Sequence, residues 1–179
     1  MTNPTISSNR LLRLNVGFLL SQGAGTTREV VFNYPGTIKA DDFIISRLDG
    51  TIKLTRTPQG VLVQGVLLVQ TPVECVRCLT PFDLLYEVGL EELFVTGAYA
   101  EASGLDEKAT PMISEGGFID LTPIVREEGI LAVPMQVLCA LDCKGLCPTC
   151  GQDLNQGTCD CETEQMDPRW AALRTLLEE

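Results

Sequence analysis

Hydrophobic and polar residues alternate most clearly at Phe82, Leu84, Tyr86, Val88 and Leu90, with Asp83, Glu87 and Glu91 among the residues between them. Successive side chains of a strand point to opposite faces, so a period of two predicts an antiparallel strand covered on one side. Ile52 and Leu54 begin a similar alternation, which Pro58-Gln59-Gly60 turns into the apolar run Val61 to Val69. Val30 to Tyr34 and Phe43 to Leu48 have the length and composition of short strands, and Leu14 to Leu20 reads as a first strand. Residues 1–95 are thus expected to be mainly antiparallel β, with a meander over 28–95.

From Thr96 to Gly117 the chain is rich in Gly, Ala, Ser and acidic residues, which predicts a mobile acidic loop. A helix is expected from Thr122, with Pro123 at its first position and Pro134 as its stop. A second helix is expected from Asp167-Pro168, carrying Trp170, Leu173, Leu176 and Leu177 on one stripe that packs on the domain. Residues 118–179 therefore read as helix, cysteine-rich segment and C-terminal helix, packed as one domain. The fold class expected is α+β: an antiparallel β-meander with two short helices and a C-terminal zinc-binding segment.

Composition narrows the function. Hydrophobic residues make up 45% of the 179, enough for a core, yet no run reaches the roughly 18 apolar residues of a membrane span. The stretch Leu14 to Leu20 is too short and too interrupted for a signal segment, so a cytoplasmic protein is expected. Histidine is absent. That removes the commonest general base, every Ser-His or Cys-His pair and every histidine metal ligand. No carboxylate pair stands out among the 24 Asp and Glu, and the expectation is a protein that is not an enzyme.

Charge is uneven along the chain. Residues 1–80 hold 8 Lys and Arg against 5 Asp and Glu, whereas residues 81–179 hold 5 against 19. Phosphate affinity comes from Lys and Arg, so the acidic half is a poor surface for bare nucleic acid.

The eight cysteines fall into pairs: Cys75 and Cys78, Cys139 and Cys143, Cys147 and Cys150, Cys159 and Cys161. Disulfides need an oxidising compartment, which nothing in the sequence supports. A thioredoxin-type C-x-x-C opens a helix in a βαβ unit, whereas Cys75 and Cys78 join two antiparallel strands. Zinc accounts for the spacing best, because a tetrahedral site takes four thiolates supplied as two short-spaced pairs. Cys147-Pro148-Thr149-Cys150-Gly151 has the form of a zinc knuckle, and Cys159 and Cys161 lie on one side of an extended segment. The simplest partition places Cys147, Cys150, Cys159 and Cys161 on one zinc. A second zinc would take Cys75, Cys78, Cys139 and Cys143. A partition joining Cys143 to Cys147 has the reach as well, and Cys75 with Cys78 could equally be a reduced buried pair.

Several of these strings resemble the YceD family, the large ribosomal RNA subunit accumulation proteins. The similar pieces are Glu74-Cys75-Val76-Arg77-Cys78-Leu79-Thr80-Pro81-Phe82, Ile119-Asp120-Leu121 through Leu131-Ala132-Val133-Pro134, and Cys143 to Gly151 leading through Asp153-Leu154-Asn155 to Cys159 and Cys161. Asp167-Pro168-Arg169 and the final apolar stripe complete the set. The resemblance implies an α+β protein needed for accumulation of large-subunit (23S) ribosomal RNA, with no catalytic residues to carry over. Family members are often encoded beside a small large-subunit ribosomal protein. Some branches keep the first C-x-x-C and lack most of the C-terminal cysteines, which assigns that cluster to stability.

The partner expected is large-subunit ribosomal RNA precursor, a basic large-subunit ribosomal protein, or both. RNA contact would use Arg28, Lys39, Arg47, Lys53, Arg56 and Arg77 on the basic half. Protein contact would use the acidic half. The alternative is a cytosolic thiol or zinc redox-responsive regulator.

Overall fold

The computed structural model describes residues 6–7, 11–106 and 109–161 of the chain. The chain divides into two compact units, Met1–Val73 with Phe82–Val137, and Glu74–Pro81 with Leu138–Glu179. The architecture is α+β with antiparallel sheets. The C-terminal helix expected from Asp167 lies outside the described residues.

The larger unit is built on β3 (Thr27–Tyr34), β6 (Arg47–Arg56), β7 (Gly60–Glu74) and β8 (Pro81–Val95), in the order β3-β6-β7-β8. β3 pairs antiparallel with β6 (Val31 opposite Thr51), and β6 pairs antiparallel with β7 (Thr51 opposite Val66). Leu48, Ile52 and Leu54 of β6, Val61, Val63, Leu67 and Val69 of β7, and Val88 and Leu90 of β8 are buried. Thr51 and Lys53 of β6 and Asp83, Glu87 and Glu91 of β8 face solvent, as a period of two requires. Val61 to Val69 is accordingly an alternating strand, with Val66 on the outer face and half exposed.

The meander is interrupted between β3 and β6. There the chain forms β4 (Ile38–Ala40) and β5 (Phe43–Ile45), which join β1 (Ile6–Ser7) in a separate three-stranded sheet, β1 running parallel to β4. The expected strand over Phe43 to Leu48 is therefore split, with Ser46 donating its N–H to the Gln70 carbonyl at 2.7 Å where β5 gives way to β6.

The N-terminal reading also changes. Only Arg13–Asn15 is strand (β2), and Gly17–Leu20 is a helical turn (α1). Asn15 Oδ1 accepts the N–H of Gly17 at 2.9 Å, an Asx turn that bends the chain out of the strand. Leu12, Val16 and Leu19 are then all fully buried. β2 pairs antiparallel with β9 (Phe118–Asp120), so residues 118–120 belong to the same unit as the sheet.

The segment expected as a loop over 96–117 contains α2 (Gly97–Ser103). Gly104, at φ +64°, ends it, and the Leu105 N–H reaches back to the Ala100 carbonyl at 3.1 Å. Met112 then bridges Val95 in parallel, and Ile113 is buried. The expected helix is α3 (Thr122–Ala132). At its start Asp120 Oδ1 accepts the Thr122 N–H at 2.9 Å, whereas Thr122 Oγ1 is buried without a partner and makes no cap. Among the described residues no helix is long and apolar enough to cross a membrane.

Candidate metal centres

The smaller unit gathers the cysteines, and two of its turns are built alike. In the first, the Cys75 N–H donates to the Thr80 carbonyl at 3.0 Å and the Leu79 N–H returns to the Cys75 carbonyl at 2.9 Å. In the second, the Cys147 N–H donates to the Gln152 carbonyl at 2.8 Å and the Gly151 N–H returns to the Cys147 carbonyl at 2.9 Å. The residue after each C-x-x-C is left-handed, with φ +59° at Leu79 and +75° at Gly151. This tight turn aims both sulfurs of each pair, with nearby N–H groups, toward one point.

Each knuckle meets a second pair. The sulfurs of Cys75, Cys78, Cys139 and Cys143 lie within 4.8 Å of one another, as do those of Cys147, Cys150, Cys159 and Cys161. Cys75 Sγ is 3.8 Å from Cys143 Sγ, and Cys78 Sγ is 3.6 Å from Cys139 Sγ. A tetrahedral zinc with about 2.3 Å bonds to sulfur sets its ligands roughly 3.8 Å apart, so the donor set and its spacing fit the ion. None of the eight cysteines is disulfide-bonded, and the Cys75–Cys143 and Cys78–Cys139 sulfur separations lie far beyond the 2.05 Å of a disulfide.

The electrostatics of the clusters point the same way. Backbone N–H groups, that of Cys139 foremost, lower the Cys75 thiol to about 6. Those of Cys150 and Thr149 lower Cys147 to about 6. The neighbouring sulfurs act in the opposite sense, Cys78 above all on Cys139 and Cys150 on Cys161, pushing each to about 12. Each cluster thus pairs a thiol whose ionisation is favoured with one whose ionisation its neighbours oppose, an opposition that a bound cation relieves.

Residues outside the cysteines complete the centre. Arg77 Nη1 donates to the Cys143 carbonyl at 2.8 Å, and the Leu146 N–H donates to the Arg77 carbonyl at 3.1 Å. Asn155 Oδ1 accepts the Lys144 N–H at 2.8 Å, while its Nδ2 lies 3.5 Å from Cys143 Sγ. Asp153 Oδ1 accepts both the N–H of Asn155 and its Nδ2, at 2.9 and 2.7 Å. Those bonds, the backbone one first, hold the Asp153 carboxyl below its ordinary range. The sequence signal for Asp153 and Asn155 is an Asx turn, legible as a turn but silent about the sulfur it serves.

Four of the six basic residues considered for RNA have partners within their own unit. Arg28 lies over the Phe18 ring at 4.7 Å, and Arg47 pairs with Asp49. Arg56 bonds the carbonyls of Thr57 and Gly60, and Arg77 serves Cys143. Lys53 stands on the outer face of the four-stranded sheet, between Glu29 and Gln64 in register, and Lys39 belongs to the three-stranded sheet.

Residues 63–177 match the model of a family described as large ribosomal RNA subunit accumulation protein YceD. The chain belongs to the YceD family. An uncharacterised protein of Mycobacterium tuberculosis is 36% identical over 135 residues, 73% of this chain and 62% of that protein. The uncharacterised protein YlbN of Bacillus subtilis is 33% identical over 106 residues, 59% of each chain. The chloroplastic large ribosomal RNA subunit accumulation protein YCED homolog 1 of Arabidopsis thaliana is 34% identical over 61 residues, 34% of this chain and 19% of that one. The match thus spans less than two thirds of the length of these relatives. No solved structure matches the chain significantly. All eight cysteines fall inside the stretch that the YceD model covers.

Proposed function

We propose that this YceD-family chain is a cytoplasmic, non-enzymatic factor in biogenesis of the large ribosomal subunit. Two zinc ions staple its cysteine-rich unit, and an acidic surface receives a basic large-subunit ribosomal protein. The observation that carries the role is the family match over 63–177, in a family described by large ribosomal RNA accumulation. Support for the metal is the convergence of two sets of four sulfurs at tetrahedral spacing.

Charge supports the choice of partner. Residues 81–179 carry 19 Asp and Glu against 5 Lys and Arg. Four thiolates and one Zn²⁺ add −2 per filled site, taking the formal charge from −11 to −15. A field of that sign repels RNA and draws in basic polypeptides at a salt-dependent rate. The basic residues are the counterweight, and four of the six are committed to bonds or stacking within the protein.

Two measurements test the proposal. Removal of the protein from its host should lower the ratio of large- to small-subunit ribosomal RNA; an unchanged ratio rejects the biogenesis role. The zinc-loaded full chain should bind basic large-subunit ribosomal proteins at low salt and release them as salt rises. Retention of ribosomal RNA in their absence, with no protein bound, rejects the choice of partner.

A further inference from the structure

Cys143 and Cys147 belong to different four-sulfur groups and are separated only by Lys144, Gly145 and Leu146. Both cysteines are buried, and the linking residues are held from two sides. On one side is the first knuckle: Arg77 bonds the Cys143 carbonyl and accepts the Leu146 N–H. Gly145, at φ +77°, lies so close that an added Cβ would stand 3.1 Å from the Arg77 carbonyl oxygen. On the other side is the return of the second knuckle, where Leu146 bridges Asp153 antiparallel and the Leu154 N–H donates to the Gly145 carbonyl at 2.9 Å.

One side chain crosses from that return to a sulfur of the other group. Asn155 follows the second knuckle, yet its amide nitrogen points at Cys143 Sγ while its oxygen holds the Lys144 N–H. Asp153 fixes the amide orientation by accepting from both its main-chain and side-chain nitrogens. An N–H directed at a thiolate draws charge from it, easing the repulsion among four sulfurs around one ion. We propose that Asn155 is a positioning residue for the Cys75, Cys78, Cys139 and Cys143 metal site, orienting and partly neutralising the Cys143 thiolate. The proposal rests on the reading that this group holds zinc.

The test uses the full chain, titrated with Co²⁺ against a competing chelator. Asn155→Asp keeps an acceptor for Lys144 and loses the amide N–H groups toward Cys143 Sγ and Asp153; Asn155→Ala loses all three contacts. Wild type should take two equivalents. Each variant should keep one at wild-type affinity and bind the other about 10–100-fold more weakly, the usual effect of losing such an outer partner. Alkylation of the half-loaded variants should modify Cys75, Cys78, Cys139 and Cys143 and spare the other four. The sulfur-to-cobalt charge-transfer band of the weakened site should move to lower energy, because a thiolate without its donor is easier to oxidise. A role confined to holding Lys144 leaves Asn155→Asp like wild type, which overturns the proposal. Normal loading of Asn155→Ala overturns it whatever Asn155→Asp does, and so does loss from both groups alike or from the Cys147 group alone. Wild type that takes no cobalt removes the zinc reading and this one together, whereas two equivalents indifferent to Asn155 remove only this one.

Discussion

Leu79 and Gly151 occupy the same station in two copies of one turn. Each follows the second cysteine of a C-x-x-C, each has positive φ, and each returns its N–H to the carbonyl of the first cysteine at 2.9 Å. A left-handed conformation costs an L-residue about 1–2 kcal/mol, and Leu79 recovers little by packing because it is 59% exposed. Leu79→Gly is expected to stabilise the metal-loaded protein by about 0.5–1 kcal/mol, after allowance for the greater freedom of glycine when unfolded. A denaturant midpoint at or below wild type would show that Leu79 contributes contacts beyond the turn.

The Tyr86 hydroxyl donates to the Gly129 carbonyl at 3.0 Å, near the C-terminal end of α3, where carbonyls lack helical partners. Burial raises the phenol from its ordinary 10 to about 12. A pKa raised on folding stabilises the protein fully below the unfolded value and less as pH climbs through the folded one. The zinc-loaded protein should therefore lose stability between pH 10 and 12, and Tyr86→Phe should flatten that slope. At neutral pH the substitution should cost about 1 kcal/mol for the lost bond. Equal slopes for the two proteins in chemical denaturation across that range would contradict this account.

Gly60 illustrates what a sequence conceals. Pro58-Gln59-Gly60 reads as a turn, and it is one, with Thr57 and Gly60 exchanging backbone hydrogen bonds at 2.9 and 3.2 Å. The glycine is also required by its neighbour, because a Cβ at Gly60 would lie 1.9 Å from the Phe94 carbonyl oxygen. Gly60→Ala must push one backbone away from another, and a loss of about 3 kcal/mol is expected. A thermal midpoint within 2 °C of wild type would contradict the packing.

Chelation is expected to act on the two units differently. Small loop-rich segments take folding energy directly from structural zinc, whereas the sheet has an apolar core of its own. Removing metal should therefore open the amides of 74–81 and 138–161 to hydrogen exchange while β3, β6 and β7 stay protected. Cys147→Ser with Cys150→Ser should halve the zinc content and leave the far-ultraviolet sheet signal intact. Loss of that signal on either treatment would show that the sheet depends on metal.

Sequence reading worked where one physical rule acts locally. The alternation in β8 survives because side-chain direction in a strand is fixed residue by residue, and the cysteine pairs group by fours as their spacing suggests. The misses lie where the local signal is too short or too faint to read, or where the deciding partner is remote. Nothing in Leu14 to Leu20 announces that Asn15 will bend the chain, and Gly97–Ser103 is too short for a helical period to register. Composition counts Arg56 and Arg77 as surface cations, whereas backbone carbonyls claim both. The match between Leu79 and Gly151 is hidden because leucine carries no sign of positive φ.

The first cysteine group draws on two distant parts of the chain, with Cys78 and Cys139 separated by 61 positions. At the usual 5–20 residues per second of synthesis, the first knuckle leaves the ribosome roughly 3–12 s before its partners. For that interval Cys75 and Cys78 are a naked dithiol on a nascent chain, open to whatever metal or oxidant arrives first. The four sulfurs can therefore gather only after Cys139 and Cys143 have followed the first knuckle out of the ribosome.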